Sequence, residues 1–364
     1  MGNQINDRER EWPDAGRFAC VRGMQPALLA RTFRDMMHDP LASSDLIAAR
    51  RYVYAKAAAS EGDWREAAEI LEQALERAPE WAPAWFALGE AREKLGDVEG
   101  AAEAFRACLR ADPADAQGAA ARLALMGRAE APGALPQAYV ARLFDDYAPR
   151  FEAHLTETLA YRGPALIADA LESVAPGRRF GRALDLGCGG GLMAAAIRSR
   201  VDRLAGVDLS AGMIAKARSR DLYDSLEVGE ATDFLRGQPP AGFNLIVAAD
   251  AFCYFGDLQP VFAAGARALA KGGLLACSIE AFEGEGFQLE TTMRFAHARP
   301  YVEATAREAG FRSLLIWPQS TRREAGADAP DLICVFDVAP PRPALADLTL
   351  PRSAQGRASG RSRR

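Results

Sequence analysis

The sequence predicts an α/β fold, a doubly wound sheet of seven mostly parallel strands with an antiparallel edge strand, preceded by an all-α helical-repeat domain. Three observations carry this. From Arg182 onward, short apolar runs alternate with segments of helical period. Before that, Gly62, Ala67, Leu71, Ala74 and Pro79 return 34 residues later as Gly96, Ala101, Phe105, Cys108 and Pro113. Between the two lies Arg182-Ala-Leu-Asp-Leu-Gly-Cys-Gly-Gly-Gly-Leu-Met193, which reads as strand, tight glycine turn and helix. Such a unit lays a nucleoside-like ligand across a helix N-terminus, where glycine permits φ > 0 and close backbone approach.

Taken in order, residues 1–24 lack periodicity and are expected to form a disordered arm. Leu28, Leu29, Phe33, Met36 and Met37 predict an amphipathic helix ending near His38, which reads as a solvated cap. The 34-residue period, with small residues inside each unit and a closing proline, resembles the tetratricopeptide (TPR) repeat. The second unit also carries Trp85, Leu88 and Gly89 where that family has W-x-x-L-G, while the first has Arg51 and Tyr54 there. Repeats at about 48–81 and 82–115, with Asp112 to Met126 as a capping helix, give a repeat domain over 25–127. The breaker-rich stretch 128–138 is expected to be a linker.

A second domain is expected over 139–340. A helical stripe of Val140, Leu143, Phe144, Tyr147, Phe151 and Leu155 opens it, and Pro164 to Val174 is a further amphipathic helix. Strands are expected at 182–186, 203–207, 226–228, 243–248, 273–278, 313–317 and 332–338. Helices are expected at Met193–Ser199, Gly212–Ser219, Leu258–Leu269 and Pro300–Ala309. The last two strands lack an intervening helix, which predicts an antiparallel pair. Residues 341–364, Pro/Ala-rich and then studded with arginine, read as a disordered basic tail.

Composition narrows the function classes. A net charge of −5 argues against a general nucleic-acid binder. The six cysteines form no C-x-x-C pair, and three separated histidines give no metal-ligand spacing. No apolar run reaches the roughly 18 residues of a membrane span. The polar N-terminus has no signal core, so a cytoplasmic location is expected.

The glycine turn itself admits two readings. From Gly189 it fits the relaxed dinucleotide fingerprint G-x-G-x-x-G/A. From Gly187 the run Asp-Leu-Gly-Cys-Gly-Gly-Gly resembles the first motif of class I S-adenosylmethionine (SAM)-dependent methyltransferases. Both expect an acid about 20 positions on for ribose hydroxyls, and Asp208 supplies it. Later matches favour the second. Asp208-Leu-Ser-Ala-Gly-Met-Ile-Ala-Lys-Ala-Arg218 resembles the methyltransferase segment D-x-S-x-x-M-x-x-x-A, and Val228-Gly-Glu-Ala231 stands where the family has Gly-Asp-Ala. Phe243 to Asp250 resembles the fourth strand and Leu269-Ala-Lys-Gly-Gly-Leu274 the turn before the fifth. With Leu143-Phe-Asp-Asp-Tyr-Ala-Pro-Arg-Phe-Glu-Ala-His154, the chain resembles bacterial TPR-containing methyltransferases, whose domain is similar to malonyl-acyl-carrier and quinone methyltransferases.

The resemblance implies SAM as cofactor and a direct displacement that needs no metal. Gly187, Gly189 and Gly191 would cradle its methionine portion, Asp185 would help orient the amino group through the turn or water, and Asp208 would accept the ribose hydroxyls. Met213 would flank the adenine, Glu230 and Ala231 would read its amino edge, and Tyr147 and Phe151 would close over it, with His154 at the entrance. Asp250 and Tyr254 follow the fourth strand and are expected in the pocket, Asp250 against both cofactor and acceptor. Arg294 or Arg299 would pair an acidic acceptor, with His297 or Asp250 as base. Ala249-Asp250-Ala251-Phe252 in place of Asn/Asp-Pro-Pro-Tyr/Phe argues against adenine and glutamine-amide acceptors. The acceptor is expected to be small or carrier-bound, with protein or peptide partners at the TPR groove. The competing reading is a non-catalytic scaffold that keeps a SAM-binding fold.

Overall fold

The structure, a computed structural model, describes residues 43–150, 161–324 and 327–338. Both expected terminal segments, the 26–37 helix with His38, Phe151 and His154 lie outside the described residues.

Five helices come first: α1 (Leu46–Ser60), α2 (Trp64–Arg77), α3 (Ala82–Lys94), α4 (Val98–Ala111) and α5 (Ala119–Leu125). The repeat is visible at its turns. Asp63 and Asp97, 34 positions apart, each begin a helix by accepting a hydrogen bond at 3.0 Å, from the N–H of Glu66 and of Gly100. The residues before them, Gly62 and Gly96, take left-handed backbone (φ +85° and +78°). Inside, small residues let the helices close up: Ala48, Ala55, Ala67, Ala74 and Ala84 are fully buried. A Cβ on Gly89 would stand 2.6 Å from the Phe105 ring, so glycine lets α3 settle on α4. In the first unit Arg51, at the tryptophan position, instead donates to the Gln73 carbonyl at 2.6 Å.

Residues 128–136 were expected to be a linker, and they are tied down. The Gly133 carbonyl accepts from the N–H groups of Gly256 (2.9 Å) and Asp257 (2.8 Å), and Leu135 N–H donates to the Tyr254 carbonyl at 2.9 Å. Leu135 is buried. Burial of this apolar side chain and satisfaction of the backbone groups together outweigh the breaker composition. α6 (Gln137–Tyr147) follows directly and ends in a 3-10 turn, Ala148–Arg150.

The α/β part contains β1 (Phe180–Leu186), β2 (Val201–Asp208), β3 (Ser225–Val228), β4 (Phe243–Ala248), β5 (Leu269–Glu280), β6 (Phe287–Leu289), β7 (Phe295–His297), β8 (Phe311–Gln319), β9 (Arg323–Glu324), β10 (Ala327–Asp328) and β11 (Asp331–Val338). Its helices are α7 (Gly163–Val174), α8 (Leu192–Ile197), α9 (Ala211–Ser219), α10 (Ala231–Gly237), α11 (Gln259–Ala268) and α12 (Arg299–Glu308). The main sheet runs β3-β2-β1-β4-β5-β11-β8. β1 to β5 are parallel, and β11 is antiparallel to both neighbours, β5 and β8, with β8 outermost. This is the seven-stranded, mostly parallel sheet that the sequence predicts. Strand β4 shows why its centre is apolar throughout: Leu245 and Val247 pack on one face, Ile246 and Ala248 on the other.

The strand order reverses between β2-β1 and β1-β4, which opens a crevice at the carboxyl ends of β1 and β4. The features without a sequence forecast include the seven-residue helix α10, the β6-β7 hairpin and the short β9-β10 ladder. The hairpin packs Phe295, Phe287 and Met293 against Ala121 of α5, Leu135 and Val140. The repeat helices, the strap and the α/β part therefore share one apolar seam.

Candidate active site

The glycine turn leaves β1 and lies along one wall of a cavity of about 560 Å³. Gly187, Gly189 and Gly191 take φ of +65°, +51° and +86°. A Cβ on Gly187 would be 2.7 Å from the Ala251 Cβ, so the turn presses on the loop after β4. Gly187, Cys188, Gly189 and Gly190 line the cavity. Gly191 does not: it faces the Arg220 and Tyr223 side chains, and Arg220 Nε donates to the Gly190 carbonyl at 2.6 Å. Its role is to let the turn close, and the expectation of a ligand contact there is corrected.

Asp208 ends β2 across the turn. One carboxylate oxygen accepts from Gly189 N–H at 2.8 Å and the other from Ser210 N–H at 2.9 Å. Burial raises its pKa against the pull of those two donors. The group lines the cavity with lone pairs left over, as a pair of vicinal hydroxyls requires. Asp185 lies beneath the turn, outside the cavity wall and 1% exposed. Its Oδ2 accepts from the Tyr223 hydroxyl at 2.6 Å, and its Oδ1 has no hydrogen-bond partner among the described residues. Burial pushes this carboxyl up to about 7, with Tyr223 opposing and the Asp208 charge adding to the rise. A buried, half-satisfied acid beside the turn suits a cationic amino group. The residues thus fit a SAM-like group.

At the end of β3, Glu230 and Ala231 reach the cavity together with Thr232 and Asp233. The Glu230 carboxylate caps α10, accepting from Asp233 N–H at 2.7 Å and from the Thr232 hydroxyl at 3.0 Å. Met213 is corrected: it is fully buried and does not line the cavity, where Leu209, next to Asp208, stands instead. Helical period explains the miss, since Met213 is on the inward face of α9. Tyr147 is corrected likewise. It ends α6 outside the wall, while Phe144, one turn earlier, lines the cavity with its ring 5.5 Å from that of Tyr254.

The remaining predicted residues separate. Asp250 and Tyr254 line the cavity after β4. Asp250 has left-handed backbone (φ +57°), and its N–H donates to Ser278 Oγ at 2.9 Å. Arg294 does not await an acidic ligand. Its guanidinium pairs with Asp250, with Glu280 at 2.6 Å and with the Tyr254 hydroxyl at 3.3 Å. Arg322, also buried, reaches Glu280 at 2.9 Å and Asp250 at 3.5 Å. Arg299 pairs with Glu303 at 2.8 Å on α12. His297 is not placed to act as a base. It is fully buried in β7, its Nε2 lies 2.9 Å from the Phe255 carbonyl and 3.1 Å from that of Gly256, and its ring stacks on Tyr301 at 5.8 Å. A nitrogen facing two carbonyls is a donor, and burial lowers the pKa of the ring. The hairpin holding it is absent from the sequence forecast, which is why the histidine reads there as a candidate base.

Several contributors were missed. Asp145 in the Phe-Asp-Asp-Tyr-Ala segment accepts from Ser210 Oγ at 2.5 Å and from Gly212 N–H at 2.9 Å, fastening α6 over the start of α9. Its motif was visible, but only aromatic residues were taken from it. Leu135 and Tyr161 join the wall from segments whose role is set by tertiary contact alone.

Fold and site together define an α/β ligand-binding part of nucleoside type joined to helical repeats. The comparisons with known proteins sharpen this: residues 184–277 match the family model described as methyltransferase domain, and residues 52–116 match one described as tetratricopeptide repeat. The chain carries a methyltransferase domain and TPR repeats. It is 33% identical over 98 residues to a ubiquinone biosynthesis O-methyltransferase of Idiomarina loihiensis, covering 26% of this chain and 40% of that protein. It is 34% identical over 140 residues to a malonyl-[acyl-carrier protein] O-methyltransferase of Enterobacter lignolyticus, covering 38% and 51%. The matches thus span about half the length of these relatives or less. A chain from the complex of the Haloferax volcanii Trm112 methyltransferase activator with a methyltransferase aligns over 55% of this chain and 98% of its own, at 18% identity and a TM-score of 0.46.

Proposed function

We propose that this protein transfers a methyl group from SAM to a small or carrier-bound acceptor, with its repeats as a protein-interaction module. One observation carries the reading: Asp208 at the end of β2 is bonded to the N–H of Gly189 in the glycine turn, and both line one cavity. Asp208 would hold the ribose hydroxyls, the turn from Gly187 to Gly190 would lie against the methionine portion, and Leu209 and Ala231 would border the base. SAM supplies an activated methyl on a sulfonium, which an acceptor lone pair takes by in-line displacement. The chain has to orient the acceptor and exclude water. Leu135, Val140, Phe144 and Phe255 supply the dry wall and Asp250 a polar group beside it. His297 and Arg294 act as positioning residues, His297 for the 255–256 loop and Arg294 for Asp250.

We treat 25–127 as the repeat unit, 139–340 as the methyltransferase unit and 128–138 as the strap between them, flanked by a 1–24 arm and a 341–364 basic tail. The protein is assigned to the cytoplasm; no described helix is long and apolar enough to cross a membrane. Calorimetric titration of the full chain with S-adenosylhomocysteine tests the cofactor reading. One site is expected, weakened about 100-fold or more by Asp208→Ala, since two hydrogen bonds to a charged group are each worth roughly 1.5–3 kcal/mol. Absence of binding, or an unchanged affinity in the variant, overturns it.

A further inference from the structure

We propose that the acceptor is a neutral, largely apolar molecule bearing an O–H or N–H donor for Asp250, and that carboxylate and phosphate acceptors are excluded. This rests on the methyltransferase reading and narrows it. Among the described residues, the charged groups of the cavity wall are the five acids Asp208, Glu230, Asp233, Asp250 and Asp257 and a single cation, Arg236. Arg236 is exposed and pairs with Asp233 at 3.2 Å on α10, the helix after β3, whereas Asp250 follows β4.

The two arginines behind Asp250 offer no counter-charge to an anion. Arg294 and Arg322 each contact both Asp250 and Glu280, so two guanidiniums face two carboxylates, and Asp331 adds a third acid 4.0 Å from Arg322. Neither arginine reaches the cavity wall. An anionic acceptor would enter facing Asp250 and Asp257 with its own charge unpaired, while the walls beside it are the apolar strap and α6. An O–H or N–H donor meets instead a carboxylate fixed in place by Arg294, and its apolar body meets Leu135 and Phe144. The placement of the arginines is thus a device for holding an acceptor of hydrogen bonds toward the pocket.

The test uses matched pairs, 4-alkylphenols against 4-alkylbenzoates from methyl to hexyl, titrated calorimetrically into the full chain saturated with S-adenosylhomocysteine. Phenols are expected to bind at least tenfold more tightly than the benzoates of equal length, and Asp250→Asn is expected to narrow that ratio at least threefold. Far-ultraviolet circular dichroism and a cooperative urea transition report whether the variant folds; if it does not, the wild-type ratio decides alone. Benzoates binding as tightly as phenols, a ratio unmoved by a folded Asp250→Asn, or no binding of either series overturns the proposal. Failure of S-adenosylhomocysteine itself to bind sinks the methyltransferase reading as well, whereas a reversed ratio with the homocysteine bound sinks this inference only.

Discussion

Replacing Asp185 by asparagine should flatten the pH dependence of stability. The carboxyl is buried under the glycine turn and its pKa rises from 3.8 to about 7, chiefly through desolvation. A raised pKa means the folded state holds the proton that the unfolded chain has already released. The favourable contribution is therefore complete below about pH 4, falls as pH rises between 4 and 7, and is gone above 7. Each unit is worth about 1.4 kcal/mol, so the whole excursion is on the order of 4 kcal/mol and its portion above pH 5 about 3 kcal/mol. Asparagine keeps an acceptor for the Tyr223 hydroxyl and cannot ionise. Urea denaturation of both proteins at pH 5, 6, 7 and 8 isolates the difference, because every other titrating group cancels. Wild type should lose about 3 kcal/mol relative to Asp185→Asn from pH 5 to 8. Stability curves that stay parallel within about 0.5 kcal/mol would refute the burial of a titrating acid at this place. S-adenosylhomocysteine should bind the variant more weakly at pH 8, where the wild-type acid is charged, and the gap should close toward pH 5.

Three further perturbations separate the parts. Gly187→Ala places a Cβ 2.7 Å from that of Ala251 at a φ of +65° and should cost about 1–3 kcal/mol in denaturation together with at least tenfold in S-adenosylhomocysteine affinity. Gly89→Ala drives a methyl into the Phe105 ring at 2.6 Å; it should destabilise by about 1–3 kcal/mol yet leave that affinity within twofold at a temperature where the chain stays folded. Arg294→Met removes one of the two guanidiniums that Asp250 and Glu280 share, leaving Arg322 alone between them, and should cost roughly 3–5 kcal/mol by urea denaturation, far more than an exposed pair such as Arg299 with Glu303.

The fold was largely legible because its signals are local. Two aspartates 34 residues apart that each cap a helix, and a β4 strand buried on both faces, write their periods directly into the chain. On the cofactor side, the strand-turn-helix motif brings Gly189 and Asp208 together, the Gly189 N–H donating to the Asp208 carboxylate 19 positions on. Met213 and Tyr147 failed because a motif gives the residue type on a helix and leaves its facing to packing; in both helices a neighbour, Leu209 before α9 and Phe144 within α6, reaches the cavity.

The acceptor side was illegible for a deeper reason. Arg294, Arg299 and His297 looked like ligand-binding groups because charge and imidazole in a loop ordinarily seek solvent or substrate. Three short-range facts absent from any period reverse this. Phe287 and Leu289 pair with Phe295 and His297 into a hairpin, which seals the imidazole against the Phe255 and Gly256 carbonyls. That same hairpin delivers Arg294 to Glu280 and Asp250, so its charge is consumed before a ligand arrives. And the strap at Gly133 to Leu135, within a breaker-rich stretch of sequence, is drawn onto the 254–257 loop by three backbone hydrogen bonds. Because the hairpin also packs on Ala121 of α5, the repeats and the sheet share the apolar cluster to which Leu135, Val140 and Phe144 of the cavity wall belong.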